Sequence, residues 1–492
     1  MQGSTGWRIA RPLTRFVLSG TLEAMLLPSN PIRIKRVSAA GTLLLGALLA
    51  AFPPLAGGQE RVLPPPGPPK QREPIYDAGQ PVNRKVLKNG VVLLVQEART
   101  TDKVAAAATL RMGTRYEDEL SAGLSQVLMR SLTKGTEKLS PIELQLRLIA
   151  HKINLESGAD ADCGQVAIET VREAAAPALD LFAEILLTPS FPDTSVEAAR
   201  GAFLTKAADD VESPIPATYT MFLEAMYPGS PFARPPHGRV QSIAECRRSD
   251  LVALYRKYFV GSNLTVAVVG NIDGKKVMGQ LERLFATVPP GPAAVAQGTE
   301  PAPLAADTLI TQARPILARS LVYGYPAPGY ADPDYAAFMI LDSYLRSGDR
   351  SPLTYWMPQR NEAAGVGIVF PPYPKRSSIA VYLAASPTKY KAARDTVAAV
   401  LARLRDVPLD DGEWGVHVRR AQMAFFYNQH EPLVRARNYS RWEAQGVSID
   451  YPKQFESTLI KLKPEDVRDA ARRWMTHAVE VSLTPAPRTS EP

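Results

Sequence analysis

The chain has 492 residues, 45% of them hydrophobic and 22% charged, ordinary values for a globular protein at a length that calls for two or more domains. Its formal charge of +8 is concentrated at the front, where Arg8, Arg11, Arg15, Arg33, Lys35 and Arg36 face one acid, Glu23, within residues 1–57. Without that segment the body is near neutral and has no Lys/Arg cluster, so a nucleic-acid partner is excluded.

In the first segment, Arg33, Lys35 and Arg36 precede an apolar run over 39–52 and the exit Pro53-Pro54-Leu55-Ala56-Gly57. Basic residues, an apolar core too short to span comfortably and a small-residue exit form a secretory signal over 1–57, with Met25 as an alternative start. The other reading is an uncleaved anchor. A periplasmic or secreted chain is expected, with no stable membrane span after signal removal. No cysteine follows the apolar run to carry a lipid. Cys163 and Cys246 are the only cysteines; they either pair or remain two buried thiols.

Residues 58–80 are Pro-rich and read as an extended tether. Folded sequence then opens with a hairpin over 85–95, where two apolar runs flank Asn89-Gly90. A strand is expected at 104–111 and helices at 120–132 and 141–151, the second opened by the Ser140-Pro141 cap. Paired strands at 153–156 and 165–171, helices at 174–187 and 196–211, a strand at 264–269 and a helix at 274–286 complete a first domain, 81–287. The Pro-, Gly- and Ala-rich stretch 288–306 lacks periodicity, placing an interdomain linker at 288–313. The order of elements then repeats through a second domain, 314–487: strand 320–325, helix 334–345, strand 377–385, helices 390–405 and 411–425, closing strand 479–483. The expected fold class is α+β, two units of similar size, each a mostly antiparallel sheet covered by helices.

Several segments, in order, resemble the M16 metallopeptidases, the family of pitrilysin, insulin-degrading enzyme and the mitochondrial processing peptidases. The hairpin 87–95 resembles that family's opening strand pair, and Arg111-Met112-Gly113-Thr114-Arg115-Tyr116-Glu117 the approach to its catalytic helix. Gly123-Leu124 and Lys134-Gly135-Thr136 bracket that helix. Phe191-Pro192 resembles the turn before the helix of the last metal ligand, and Val268-Val269-Gly270-Asn271-Ile272-Asp273 the close of the first domain. In the second half Tyr323-Gly324-Tyr325-Pro326 and Asp332-Pro333-Asp334-Tyr335 also fit. The resemblance spans 81–487 and implies two homologous M16-type domains like those of the mitochondrial processing peptidases.

It also implies a zinc site, H-x-x-E-H on one helix plus a Glu from a later one: two imidazoles one turn apart bind the metal and the Glu between them is the base. On that correspondence Gln126 and Arg130 stand where the two His would be, Met129 where the base would be and Lys206 where the last ligand would be. An amide is a poor zinc ligand, a thioether takes no proton, and Arg and Lys bring positive charge to a place built for a dication. No H-x-x-E-H or H-E-x-x-H occurs anywhere in the chain. None of the histidines, His151, His237, His417, His430 and His477, lies within a helical turn of another, and they are read as structural. No Gly-x-Ser-x-Gly elbow, P-loop or dinucleotide turn replaces the site.

Two features of the resemblance outlast the metal. Asn154-Leu155-Glu156-Ser157 occupies the place of the edge strand on which M16 substrates add as an extra strand, through backbone groups; the plain alternative is a protected edge. Arg360 fits the Arg of a substrate-orienting Arg/Tyr pair, whose Tyr position falls near Gly367 or Ile368. The expected function is a catalytically inactive M16 subunit without metal or cofactor, paired with an active M16 zinc peptidase and acting on peptide substrates. The alternatives are a stand-alone peptide-binding, chaperone-like module and an enzyme with an unrelated site.

Overall fold

A computed structural model of the chain describes residues 76–297, 303–346, 351–409, 411–427 and 429–486. The signal over 1–57 and the tether up to residue 75 lie outside them. The described strands are β1 (Asn83–Val86), β2 (Val92–Glu97), β3 (Lys103–Leu110), β4 (Asn154–Ala159), β5 (Gly164–Val171), β6 (Leu264–Gly270), β7 (Thr308–Arg314), β8 (Arg319–Pro328), β9 (Ala364–Val369), β10 (Arg376–Ala385) and β11 (Val479–Pro485). The helices are α1 (Leu124–Leu132), α2 (Pro141–Ala150), α3 (Ala175–Leu187), α4 (Asp193–Glu212), α5 (Pro214–Met226), α6 (Val240–Glu245), α7 (Arg248–Tyr258) and α8 (Gly274–Phe285) in the first half. The second half has α9 (Tyr335–Leu345), α10 (Trp356–Gln359), α11 (Tyr390–Asp406), α12 (Asp411–Phe426), α13 (Pro432–Ala444), α14 (Tyr451–Leu459) and α15 (Pro464–Trp474).

Local chemistry accounts for many of these boundaries. The Asn89-Gly90 turn joins β1 to β2 in antiparallel register, and Asn89 Nδ2 anchors it by donating to the Phe285 and Val288 carbonyls at 2.9 and 3.0 Å. At α2, Ser140 Oγ accepts from Glu143 N while Ser140 N donates to Glu143 Oε2, a capping box with Pro141 in the first turn.

The strands form two sheets, ordered β1-β2-β6-β3-β5-β4 and β7-β11-β8-β10-β9. Each is antiparallel except for one parallel pair, β2 with β6 and β7 with β11. Set side by side, β2, β6, β3, β5, β4 and β7, β11, β8, β10, β9 follow the same path, with β1 added to the first. Five helices separate β5 from β6 and five separate β10 from β11. The two halves therefore share one α+β topology, as expected. The stretch placed as linker differs at its end: residues 308–313 belong to β7, whose partner β11 is contributed by the far end of the chain.

The sheets exchange helices. One face of the first sheet, with Leu93, Val95, Ala106, Val266 and Val268, packs on helices of its own half, α1 and α8 among them. Its other face, with Leu94, Ala105, Ala107, Ala267 and Val269, is covered by α13 of the second half. Reciprocally α5, from the first half, covers Val322, Ala380, Val479 and Val481 of the second sheet with Phe222, Leu223 and Met226. In each half the third helix of five crosses over. Because both faces are buried, β3 and β6 read as unbroken apolar runs instead of alternating. The alanines on the α13 side let that helix come close, and Thr109 and Ser440 meet across it at 2.8 Å between their hydroxyl oxygens. Among the described residues no helix is long and apolar enough to cross a membrane.

Candidate functional site

The site is built where α1 packs on α4 and, on its other side, on the edge strand β4. Glu117 starts α1: its carboxylate accepts from Gly123 N at 2.8 Å and Ser125 N at 2.7 Å, capping the positive end of the helix. Burial lifts its pKa above the ordinary carboxylate range against the pull of those donors and of Arg234. The Arg234 guanidinium donates to the Thr114 carbonyl at 2.7 Å and to the Glu117 carbonyl, holding the 234–239 loop over α1.

That loop joins the two helices. Gln126 Nε2 of α1 donates to the Pro236 carbonyl at 2.5 Å, and the next residue, His237, places Nδ1 2.9 Å from Oδ2 of buried Asp210 on α4. Gly123 and Gly238 meet backbone to backbone with φ near +95° and +91°. A Cβ on Gly238 would collide with Gly123 Cα and lie 2.6 Å from the Ala122 carbonyl. Gly238→Ala is expected to lose about 3 kcal/mol in urea unfolding, from strain and crowding together. Gly229→Ala, also at positive φ but with nothing within 4 Å, should lose only about 1 kcal/mol.

Each position taken from the resemblance has a definite setting. Gln126 is half-buried with its amide donor held by Pro236. Met129 is wholly buried in the first-half core beside Met112 and Leu128. Arg130 is exposed in the last turn of α1. Lys206, on α4, has its ammonium 5.2 Å from the centre of the Phe203 ring. Two cations, an amide already donating and a buried thioether do not fit a zinc ion. Among the described residues no group of three His, Cys, Asp or Glu side chains could hold a metal. His417 and His430 face glutamates next to them in the chain or one turn away. Both cysteines are buried and unpaired, and burial pushes the Cys246 thiol up to about 11.

Strand β4 ends its sheet, and no described strand pairs with its outer side. Asn154 is exposed, whereas Leu155, Glu156 and Ser157 are half-buried. Ser157 Oγ lies 3.3 Å from Thr133 Oγ1 at the end of α1, so that face of β4 looks onto α1. On the opposite face Glu156 pairs with Arg437 of α13 at 2.9 Å. Arg360 ends α10, 5.6 Å from the Trp356 ring. Gly367 and Ile368, at the Tyr position of the pair, lie in β9. The residues that sequence reading missed are Glu117, Asp210, Arg234 and Pro236, and His237 was read only as structural. Their partners are distant in sequence and leave no local signature.

Two family models match the chain: Insulinase (Peptidase family M16) over residues 92–236 and Peptidase M16 inactive domain over 246–420. An uncharacterized zinc protease of Rickettsia felis is 24% identical over 211 residues, 42% of this chain and 51% of that protein. A probable mitochondrial-processing peptidase subunit beta of Arabidopsis thaliana is 21% identical over 272 residues, 54% of this chain and 50% of that protein. The chain thus spans about half the length of these curated relatives. Among solved structures, a peptidase M16 inactive domain from Pseudomonas fluorescens matches with a TM-score of 0.72 at 19% identity, over 83% of this chain and 100% of its own. A protease from Helicobacter pylori matches with a TM-score of 0.73 at 17% identity, over 82% and 100%. The fold of two sheets with one topology is thus one that these solved structures share. The chain belongs to peptidase family M16.

Proposed function

We propose that this chain is a non-catalytic M16 subunit, exported from the cytoplasm, which pairs with an active M16 zinc peptidase and holds peptide on the β4 edge. The observation that carries this is the chemistry at Gln126, Met129, Arg130 and Lys206, which supplies neither a zinc ligand set nor a base while the scaffold around it is whole. A fold kept without its reaction acts through contacts, and the open β4 edge offers backbone groups to an extended peptide. Such a subunit closes the peptide chamber of its partner and helps to hold substrate there.

The purified chain is expected to contain no stoichiometric zinc and to cleave no peptide; one equivalent of tightly held metal in elemental analysis would contradict this. Mixed with an exported M16 subunit carrying an intact H-x-x-E-H, it should co-elute in size-exclusion chromatography and raise peptide hydrolysis across the shared peak. Arg360→Ala should leave that rise intact if the role is closure, and abolish it if Arg360 reaches the partner's substrate. Separate elution, with the partner equally active alone, would replace the subunit reading with that of a free-standing peptide-binding module.

A further inference from the structure

The two sheets differ at one edge. In the first, β1 lies antiparallel on the outer side of β2. Strand β7 holds the position of β2 in the second sheet, and among the described residues no strand lies on its outer side. Leu309, Thr311 and Ala313 are exposed there. Thr308 N donates to the Ala478 carbonyl at 2.8 Å and the Arg314 carbonyl accepts from Ala486 N at 2.7 Å, so these two residues address the β11 side. The β7–β11 register is unbroken, and alternate residues of a strand turn their backbone groups to opposite sides. Leu309, Thr311 and Ala313 therefore each offer an N–H and a C=O outward. Other edges are guarded. Strand β1 has four residues, with Arg84 and Lys85 tied in ion pairs to Glu443 and Glu282. Strand β9 has a register shift opposite Tyr382 and Ala384, and Gly365 at φ +59°, a bulge that breaks regular pairing. Strand β7 has no charge, proline or bulge between Thr308 and Ala313, and a plain edge of that kind is a template for another strand.

We propose that two copies of this chain pair through β7, strand against strand across a two-fold axis at Thr311. Two-fold symmetry makes such a pair antiparallel, the direction in which β1 lies on β2. With Thr311 opposite Thr311 of the copy, Leu309 stands opposite Ala313, and all six outward groups of each strand find partners, N–H to C=O. The side chains agree with that register. On one face the large Leu309 meets the small Ala313, and on the other Ile310 meets Gln312. Arg314, whose guanidinium donates to the Val211 carbonyl at 2.6 Å, stands opposite the uncharged Thr308, so no like charges meet. This self-complementarity is what selects a second copy as the occupant. The two five-stranded sheets then run on as one. Strand β4 belongs to the other sheet and stays open, so the pairing stands apart from the reading of β4 as a peptide edge.

The test is light scattering on the full chain during size-exclusion chromatography. At about 100 µM, above the micromolar Kd of a modest interface, the parent should elute at twice its monomer mass. Thr311→Lys and Thr311→Glu each set like charges face to face on the axis and should elute at the monomer mass. Thr311 is exposed, so both should keep the parent's circular dichroism. A second variant, Leu309→Lys/Ala313→Lys, opposes lysines twice at two further exposed positions and should also be single. Mixed in equal amounts, Thr311→Lys and Thr311→Glu should regain the doubled mass, because the lysine of one copy then meets the glutamate of the other. A parent that stays single, or that pairs through β7 only with a different chain, overturns the proposal. So does a doubled mass that survives the substitutions, or a mixture of the two Thr311 variants that stays monomeric.

Discussion

Met129→Glu is expected to destabilise the chain by about 3–5 kcal/mol, the cost of placing an unpaired carboxylate in an apolar core. Met129 is fully buried among the first-half core residues, so the new group would have neither water nor a counter-ion. The fourfold variant Gln126→His, Met129→Glu, Arg130→His, Lys206→Glu offers that carboxylate a dication. If α1 and α4 keep the geometry that the M16 resemblance implies, it should take up one zinc per chain, and zinc at about a hundred times its Kd should return about 2.7 kcal/mol. Urea midpoints with and without zinc, for the single and the fourfold variants, separate the two effects. A fourfold variant whose midpoint ignores zinc would show that the α1 and α4 positions are misassigned.

Arg441→Leu is expected to lose about 3 kcal/mol or more, because it removes one charge of a part-buried cluster and leaves the others. Arg441 of α13 pairs with Asp160 at 2.6 Å, and beside it Arg115 pairs with Asp162 at 2.7 Å. Asp162 is 1% exposed, and its second carboxylate oxygen is buried without a hydrogen bond. Burial, opposed by Arg115, raises its pKa to about 6. A carboxyl whose folded pKa lies above its unfolded value binds its proton more tightly in the folded state. Its penalty is therefore absent below about pH 4 and grows to roughly 3 kcal/mol above pH 6, so stability falls as pH rises through that window. Glu117, also raised by burial, adds a slope of the same sign. Melting temperatures of Asp162→Asn between pH 4 and 7 should show a shallower decline than the parent chain. An unchanged slope would remove Asp162 from the account.

Elements whose signal is local were legible in the sequence. The Asn89-Gly90 turn, the Ser140-Pro141 start of α2 and the apolar run of β6 each carry their own instruction within a few residues, and each forms. The α+β class followed from the repeated order of such elements. What escaped depends on partners far along the chain. Helices α5 and α13 were not foreseen: each buries its apolar residues against the other half's sheet. Strand β7 hid in a Pro- and Ala-rich stretch because most of its residues stay exposed and its pairing is with β11. At the site, resemblance proposed Gln126, Met129, Arg130 and Lys206 by position. The bridge through Pro236, His237 and Asp210 joins residues up to 110 apart, beyond the reach of any spacing rule.

The exchange of α5 and α13 sets an order of assembly. As the chain emerges from its N-terminus, β1 to β6 are complete by residue 270, but the face lined by Leu94, Ala105, Ala107 and Ala267 has no cover until residue 444 has been made. Neither half can finish alone: cutting the chain between β6 and β7 would strip α13 from the first sheet and α5 from the second. An apolar sheet left bare during synthesis invites pairing with other chains, so the first sheet needs protection until α13 has been made. The crossed helices make folding all-or-none, and leave no stable single domain for a protease to release.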